Sequence, residues 1–294
     1  MMREVAKCVV SKLQYEEVIV TDMPEFSPSA FPTRGNWTPE QLKLAFYFYC
    51  QTPFGKLHQR NPEIIKLAKL IGRTPGSLAM KLVNFASLDP SITDSGRRGL
   101  TGASSLDRKI WDEFHANWGR LAVECEQLQQ QLQREHGLKA EDSVESDDSI
   151  VLADFSGETR QALVQQRIKQ NFFRRAVLSS YRSRCCISGV SDTRLLVASH
   201  IVPWRADKAN RLNPSNGLCL SAIHDKAFDK YLFALSDDWR IELSPHLIAT
   251  KDTFLRDVFW PAEDKQIELP DRFAPDLTFV RKHRQTMLTE HAAL

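Results

Sequence analysis

Three capping residues, each followed directly by proline, stand at the head of helical patterns between residues 38 and 75: Thr38-Pro39, Asn61-Pro62 and Thr74-Pro75. Thr and Asn side chains accept from the open amides of a helix's first turn, and proline's fixed φ suits the first helical position. Each pair marks a helix start and excludes a strand there. Gln41, three residues after Thr38, completes a capping box. The spacing predicts a helix from Pro39 to about Cys50. A second runs from Pro62 to Gly72 with Ile64, Ile65, Leu67, Ala68 and Ile71 buried. A third starts at Pro75, with Leu78, Ala79, Leu82, Val83 and Phe85 inward, and a fourth starts near Ser104 or Ser105 and carries Ile110, Trp111 and Phe114. Residues 34–118 therefore read as an all-helical domain. The short Gly72-Arg73-Thr74 connection fits a helix-turn-helix, with Ser77, Lys81 and Asn84 expected on the side of the third helix away from the core.

Charge is segregated along the chain. Residues 34–118 carry 12 basic and 7 acidic residues, and residues 160–250 carry 14 and 7, whereas residues 119–159 between them carry 3 and 10. Two basic blocks around an acidic connector fit a polyanionic partner, because neutralising phosphates supplies most sequence-independent affinity for nucleic acid. The candidate contacts are Arg73, Ser77, Lys81, Asn84, Arg97 and Arg98 in the first block, and Arg174, Arg175 and Arg205 in the second.

The flanking segments complete the organisation. Residues 1–33 read as a leader, with a short strand at Val18-Ile19-Val20 and prolines at 24, 28 and 32. Residues 119–157 read as a polar helix followed by an acidic linker. Leu121, Leu128 and Leu132, with Cys125 between, form a thin seam that leaves a homodimer open. Residues 158–294 form a second domain that begins with a basic helix and then turns to strands, which makes the chain α+β. Six cysteines in 294 residues are no disulfide framework, and no run of 18 apolar residues exists. The first 22 residues lack a signal-peptide pattern, so a reduced, cytoplasmic protein with no membrane partner is expected.

The chemistry concentrates between residues 185 and 243. Leu195–Ser199 is a short apolar run that delivers His200, and Pro203 stops it. Residues 205–215 form a polar loop, Gly217–Leu220 a second strand, and Ser221 caps a helix from Ala222 to Asp229. Tyr231–Leu235 and Trp239–Leu243 flank Ser236-Asp237-Asp238 as a hairpin. In this strand–loop–strand–helix unit His200 could take a proton from water, Asn216 could fix its tautomer, and His224 could ligate a cation, which together fit metal-assisted hydrolysis.

The segments Ala198-Ser199-His200-Ile201-Val202-Pro203-Trp204, Asn213-Pro214-Ser215-Asn216-Gly217-Leu218-Cys219-Leu220 and His224-Asp225-Lys226-Ala227-Phe228-Asp229 carry H, N and H at separations of 16 and 8. Over about residues 160–280 the chain resembles the HNH (ββα-metal) nucleases, and within them a subgroup of bacterial restriction endonucleases. The resemblance implies a C-terminal ββα-metal domain that cuts DNA to 5′-phosphate and 3′-hydroxyl ends in restriction or phage defence. It makes His200 the general base, His224 the ligand of one divalent ion (Mg²⁺ or Mn²⁺, with Zn²⁺ or Ni²⁺ as alternatives), and Asn216 the residue that orients His200. Many relatives place a second metal ligand just before the base, and Ser199 at that position is the candidate metal residue beside His224. Asp229, five residues from His224, reads as structural. Adjacent Cys185 and Cys186, with no second cysteine pair, give no four-cysteine zinc site. Two other functions share these features: an inactive HNH-fold DNA-binding regulator, and a subunit of a defence complex.

Overall fold

The computed structural model describes residues 35–94, 102–137 and 157–290, the side chains of 157–159 excepted, all within one unit, Phe31–Leu294. The expected leader, Arg97, Arg98 and most of the acidic linker lie outside the described residues.

The capping signals become helix starts as written. Helix α1 (Pro39–Gln51) begins at Thr38, whose hydroxyl accepts from Gln41 N while Gln41 reaches back to Thr38 N. Helices α2 (Pro62–Leu70) and α3 (Pro75–Ala86) start at Asn61 and Thr74, and Gly72 takes φ +67° between them. A short α4 (Pro90–Asp94) precedes α5 (Ser105–Ala116), which has its own Ser104–Asp107 capping box. Helix α6 (Trp118–Glu135) follows directly.

Helix α1 is the centre of this layer. Leu42, Leu44, Ala45, Phe46, Tyr49 and Cys50 are buried, and the Phe46 ring meets Phe85, Trp111, Phe114 and Trp118 at centroid distances of 4.7–6.2 Å. Ile65, expected inside, is 45% exposed, and Val83 is half-buried. The seam Leu121, Cys125, Leu128 and Leu132 is fully used within the chain, where α6 packs on α1 and on α7. A dimer through that seam would have to strip this core.

The third helix also departs from expectation. Lys81 is buried, and its ammonium bonds both oxygens of the fully buried Asp107 at 3.0 and 2.9 Å. Freeing it for a phosphate would leave Asp107 unpaired in the core, at a cost of about 3–5 kcal/mol. Arg73 is likewise committed to Gly35 O, Asn36 O and Gln41 Oε1, with its guanidinium 4.8 Å above the Trp37 ring. Ser77 and Asn84 are only half-exposed. The periodicity placed Lys81 outward because it could not anticipate the buried carboxylate that α5 brings to it.

Helix α7 (Gly157–Ser180) joins this layer to the second part. Its Phe172 stacks on Tyr47 at 5.3 Å, and Ser179 Oγ donates to Cys50 O at 3.0 Å. Beyond it strands β1 (Leu196–His200) and β2 (Gly217–Ser221) pair antiparallel, and α8 (Ala222–Asp229) packs on both. Strands β3 (Phe233–Leu235) and β4 (Ile241–Leu243) form the expected hairpin. Helices α9 (Pro245–Ile248), α10 (Thr253–Phe259) and α11 (Leu277–Glu290) close the fold. Gly217 lets α7 approach β2: a Cβ there would stand 2.4 Å from Val177 Cγ2 and 3.0 Å from Phe173. Among the described residues no helix is long and apolar enough to cross a membrane.

Helix α11 supplies a pH-dependent term to stability. The His283 ring lies 3.7 Å from and 6° to Phe228, its Nε2 donates to Phe228 O at 3.1 Å, and Nδ1 is buried without a partner. Burial pushes its pKa down to about 4. The unfolded chain takes up this proton near pH 6.5 and the folded chain only near 4. Stability is therefore intact above pH 6.5 and falls by about 3 kcal/mol between pH 7 and pH 4. Urea midpoints at both pH values check this, with the pH dependence expected to shrink by that amount in His283→Gln.

Candidate active site

Strand β1 ends on His200, which the register sets opposite Gly217, with Ser199 opposite Leu218. Because neighbouring strand residues face opposite sides, His200 turns to α7 while Ser199 turns to α8. The imidazole lies on the Phe173 ring, centroids 4.0 Å apart and planes 10° from parallel, and Trp204 meets it edge-on at 5.6 Å. Its Nε2 is 2.9 Å from the carbonyl oxygen of Arg211. A carbonyl only accepts, so Nε2 carries the proton and Nδ1 is left as the basic nitrogen. Burial holds the pKa of His200 below the ordinary imidazole value, against an upward pull from the Arg211 carbonyl and the Asp229 carboxylate. The ring is thus neutral at pH 7, as a general base requires.

Asn216 does not bond His200. It is fully buried at the end of a 3-10 turn, Pro214–Asn216. Its Oδ1 accepts from Val202 N at 2.8 Å, and its Nδ2 donates to Val202 O and Asn210 O at 3.2 Å each. The side chain ties together the two ends of the loop between the strands. Its influence on His200 passes through that loop, and the orienting acceptor is the Arg211 carbonyl.

His224 also sits differently from the expectation. It shares the buried face of α8 with Ala227 and Phe228 and is 4% exposed. Its Nδ1 is 2.7 Å from Ser221 Oγ and 3.8 Å from Cys185 Sγ, and its ring meets Phe259 edge-on. Ser221 occupies the N-cap position, but its hydroxyl serves His224 rather than a backbone amide. Burial opposes ionisation of Cys185, yet hydrogen bonds from His224 and Ser188 bring its pKa down to about 6. His224 therefore belongs to a buried thiol–imidazole–hydroxyl group. Cys186 and Cys219 are buried thiols whose pKa values burial pushes up.

The next residue, Asp225, offers a carboxylate on the same short helix. Asp225 and Asp229 are four apart on α8, which puts them on one helix face. Burial raises the pKa of Asp225. The Ser199 hydroxyl opposes that rise and the Asp229 charge adds to it, which places Asp225 before Ser199 and near Asp229. Asp229 also acts on His200. Ser199 Oγ is 2% exposed by residue and has no hydrogen bond of ordinary geometry. Asp225, which engages Ser199, and Asp229, which acts on His200, are the kind of oxygen donors that suit a hard divalent cation. Mg²⁺ needs only one or two protein carboxylates when substrate phosphate and water complete its octahedron. Among the described residues no group of three or more His, Cys, Asp or Glu could hold a metal ion. The fit is thus to a cation shared with substrate, not to a closed protein cage.

The expected nucleic-acid contacts divide. Arg174 is committed to Leu196 O at 2.8 Å and Thr193 O at 3.2 Å, pinning the start of β1. Arg175 is exposed beside Tyr47 and Glu126. Arg205 is exposed on the loop that follows β1, as is Lys208. Arg205 alone of the nine combines exposure with a place in the loop that holds the base.

Residues 185–236 match the family model for HNH endonuclease.

The match spans β1, the loop, β2, α8 and β3, so the HNH segment contains every group placed around His200 except Phe173. No curated protein matches the chain. Sequence reasoning undervalued Asp225 and Asp229 because it measured helix angles from His224, five residues from Asp229. Measured from Asp225 the same helix gives an i, i+4 pair, a signal that was present. Phe173 and the Arg211 carbonyl left no such trace, since an aromatic on a helix reads as core and any residue can supply a carbonyl.

Proposed function

We propose that the chain is a metal-dependent DNA endonuclease that hydrolyses phosphodiester bonds to 5′-phosphate and 3′-hydroxyl ends. The observation that carries this reading is the His200 tautomer: Nε2 is spent on Arg211 O, which leaves Nδ1 as the basic nitrogen of a ring that feels the Asp229 carboxylate. In this mechanism His200 Nδ1 takes a proton from water as the water oxygen bonds phosphorus and the bond to the 3′ oxygen breaks. Phe173 holds the imidazole plane, and the Arg211 carbonyl holds the tautomer. Asp225 and Asp229 would hold the divalent ion, with Ser199 facing Asp225. When bound there, the ion supplies positive charge to the pentacovalent transition state and the leaving oxygen. The exposed Arg205 and Lys208 serve the DNA backbone. The role in restriction or phage defence rests on the family resemblance.

Supercoiled plasmid incubated with Mg²⁺, Mn²⁺ or EDTA tests the reading. Nicked or linear product is expected with either metal and none with EDTA. Asp225→Asn should lower both the rate and the affinity for Mn²⁺, measured by calorimetry in the presence of DNA, by about 10–100-fold. Unchanged Mn²⁺ affinity would return the ligand role to His224. No cleavage of plain or modified DNA with any metal, beside salt-sensitive binding, would make this an inactive DNA-binding module.

A further inference from the structure

We propose that Arg211 is a positioning residue for His200, acting through a closed circuit of contacts with Trp204 rather than by holding DNA. The proposal rests on the reading of His200 as the base and adds the device that sets which nitrogen is basic.

The circuit has three members. His200 Nε2 donates to Arg211 O at 2.9 Å. Arg211 Nε donates to Trp204 O at 2.7 Å, and its guanidinium lies over the Trp204 ring with Cζ 5.1 Å from the centroid. The Trp204 ring in turn meets His200 edge-on at 5.6 Å and 88°. The rest of the loop is braced independently. Asp207 accepts from Ala209 N, Asn210 N and Asn210 Nδ2 at 3.1, 3.1 and 2.8 Å, and Asn216 anchors Val202 and Asn210. These braces end at the Asn210 carbonyl, and the Arg211 side chain adds a further hold on the carbonyl that follows it.

That geometry explains why the residue is arginine. A carbonyl that selects a tautomer can come from any residue, but it must stay in the imidazole plane. The guanidinium fixes it by a directional Nε donor and a flat face on the indole. Lysine has neither, being a compact point charge on a flexible stem. Arg211 looks like a phosphate contact in a basic loop, yet its Nε and its flat face are already engaged by Trp204.

The test uses the full chain without DNA as well as with it. Long-range ¹⁵N spectra of His200 are expected to show a single Nε2-protonated tautomer in the wild type and a mixture in Arg211→Lys. Trp204→Leu, which removes the ring face and leaves Arg211 in place, should give the same signature. It serves as the second variant should Arg211→Lys lower the melting temperature sharply. In plasmid cleavage Arg211→Lys should lower kcat by about 10–100-fold, as small misplacements of a reacting group do, with KM unchanged. An unchanged tautomer in both variants overturns the proposal. So does a kcat retained in Arg211→Lys with KM raised and the salt slope of binding reduced by about one in Arg211→Gln, the behaviour of a phosphate contact. The spectra need no cleavage, so they decide the proposal even if the wild type cuts nothing.

Discussion

Replacing His200 by alanine is expected to lower metal-dependent plasmid cleavage by about 10²–10⁴-fold, the usual worth of a positioned general base. The residue sits at the end of β1, beyond the buried apolar run, so the loss should come without loss of fold. Circular dichroism and DNA affinity of the variant should match the wild type. In the wild type the rate should rise with pH as His200 gives up its proton. The midpoint should lie below the ordinary imidazole value, because burial of the ring outweighs the pull of Asp229 and the Arg211 carbonyl. A variant that still cuts within a factor of about three of the wild type would remove His200 from the base role.

Arg272→Met is expected to destabilise the protein by about 3–5 kcal/mol, the range for breaking a buried charged network. Arg272 is fully buried and donates to Tyr49 O, Cys50 O and Ser179 Oγ, with its guanidinium 4.6 Å above the Tyr49 ring. It thus caps the last carbonyls of α1, where a cation also meets the negative end of the helix dipole. Asp89 is buried nearby. Burial raises its pKa, and the Arg272 charge holds it partly down. Removing the cation leaves open carbonyls and an uncompensated carboxyl, which methionine's bulk cannot repair. A shift of the urea midpoint worth less than about 1 kcal/mol would show that water or Asp89 protonation replaces the arginine.

What could be read in advance followed the range of the interactions concerned. Caps act over three residues, and Thr38, Asn61, Thr74 and Ser104 each start a helix as the sequence indicates. The β1–loop–β2–α8 unit was legible because its three polar motifs lie within thirty residues of one another. Errors appear where a partner comes from far away in the chain. Lys81 meets Asp107 across 26 positions and Arg174 turns back to Leu196 across 22. The surroundings of His224 were hidden for a different reason. The choice between two adjacent residues depends on the rotational phase of one short helix, which Ser221 and Cys185 fix by engaging His224 from the core side.

Helix α7 bears on how this chain can be divided. One flank of the rod carries Phe172 against α1, and the adjoining flank carries Phe173 beneath His200 and Val177 beneath Gly217. A cut in the acidic connector would leave an HNH fragment with a raw apolar stripe where Phe172 met Tyr47. Exchanging the N-terminal helices for another domain would demand a new lining for Phe172, Ser179 and Arg272 together. Any load placed on those helices is borne by the same rigid beam that seats the base.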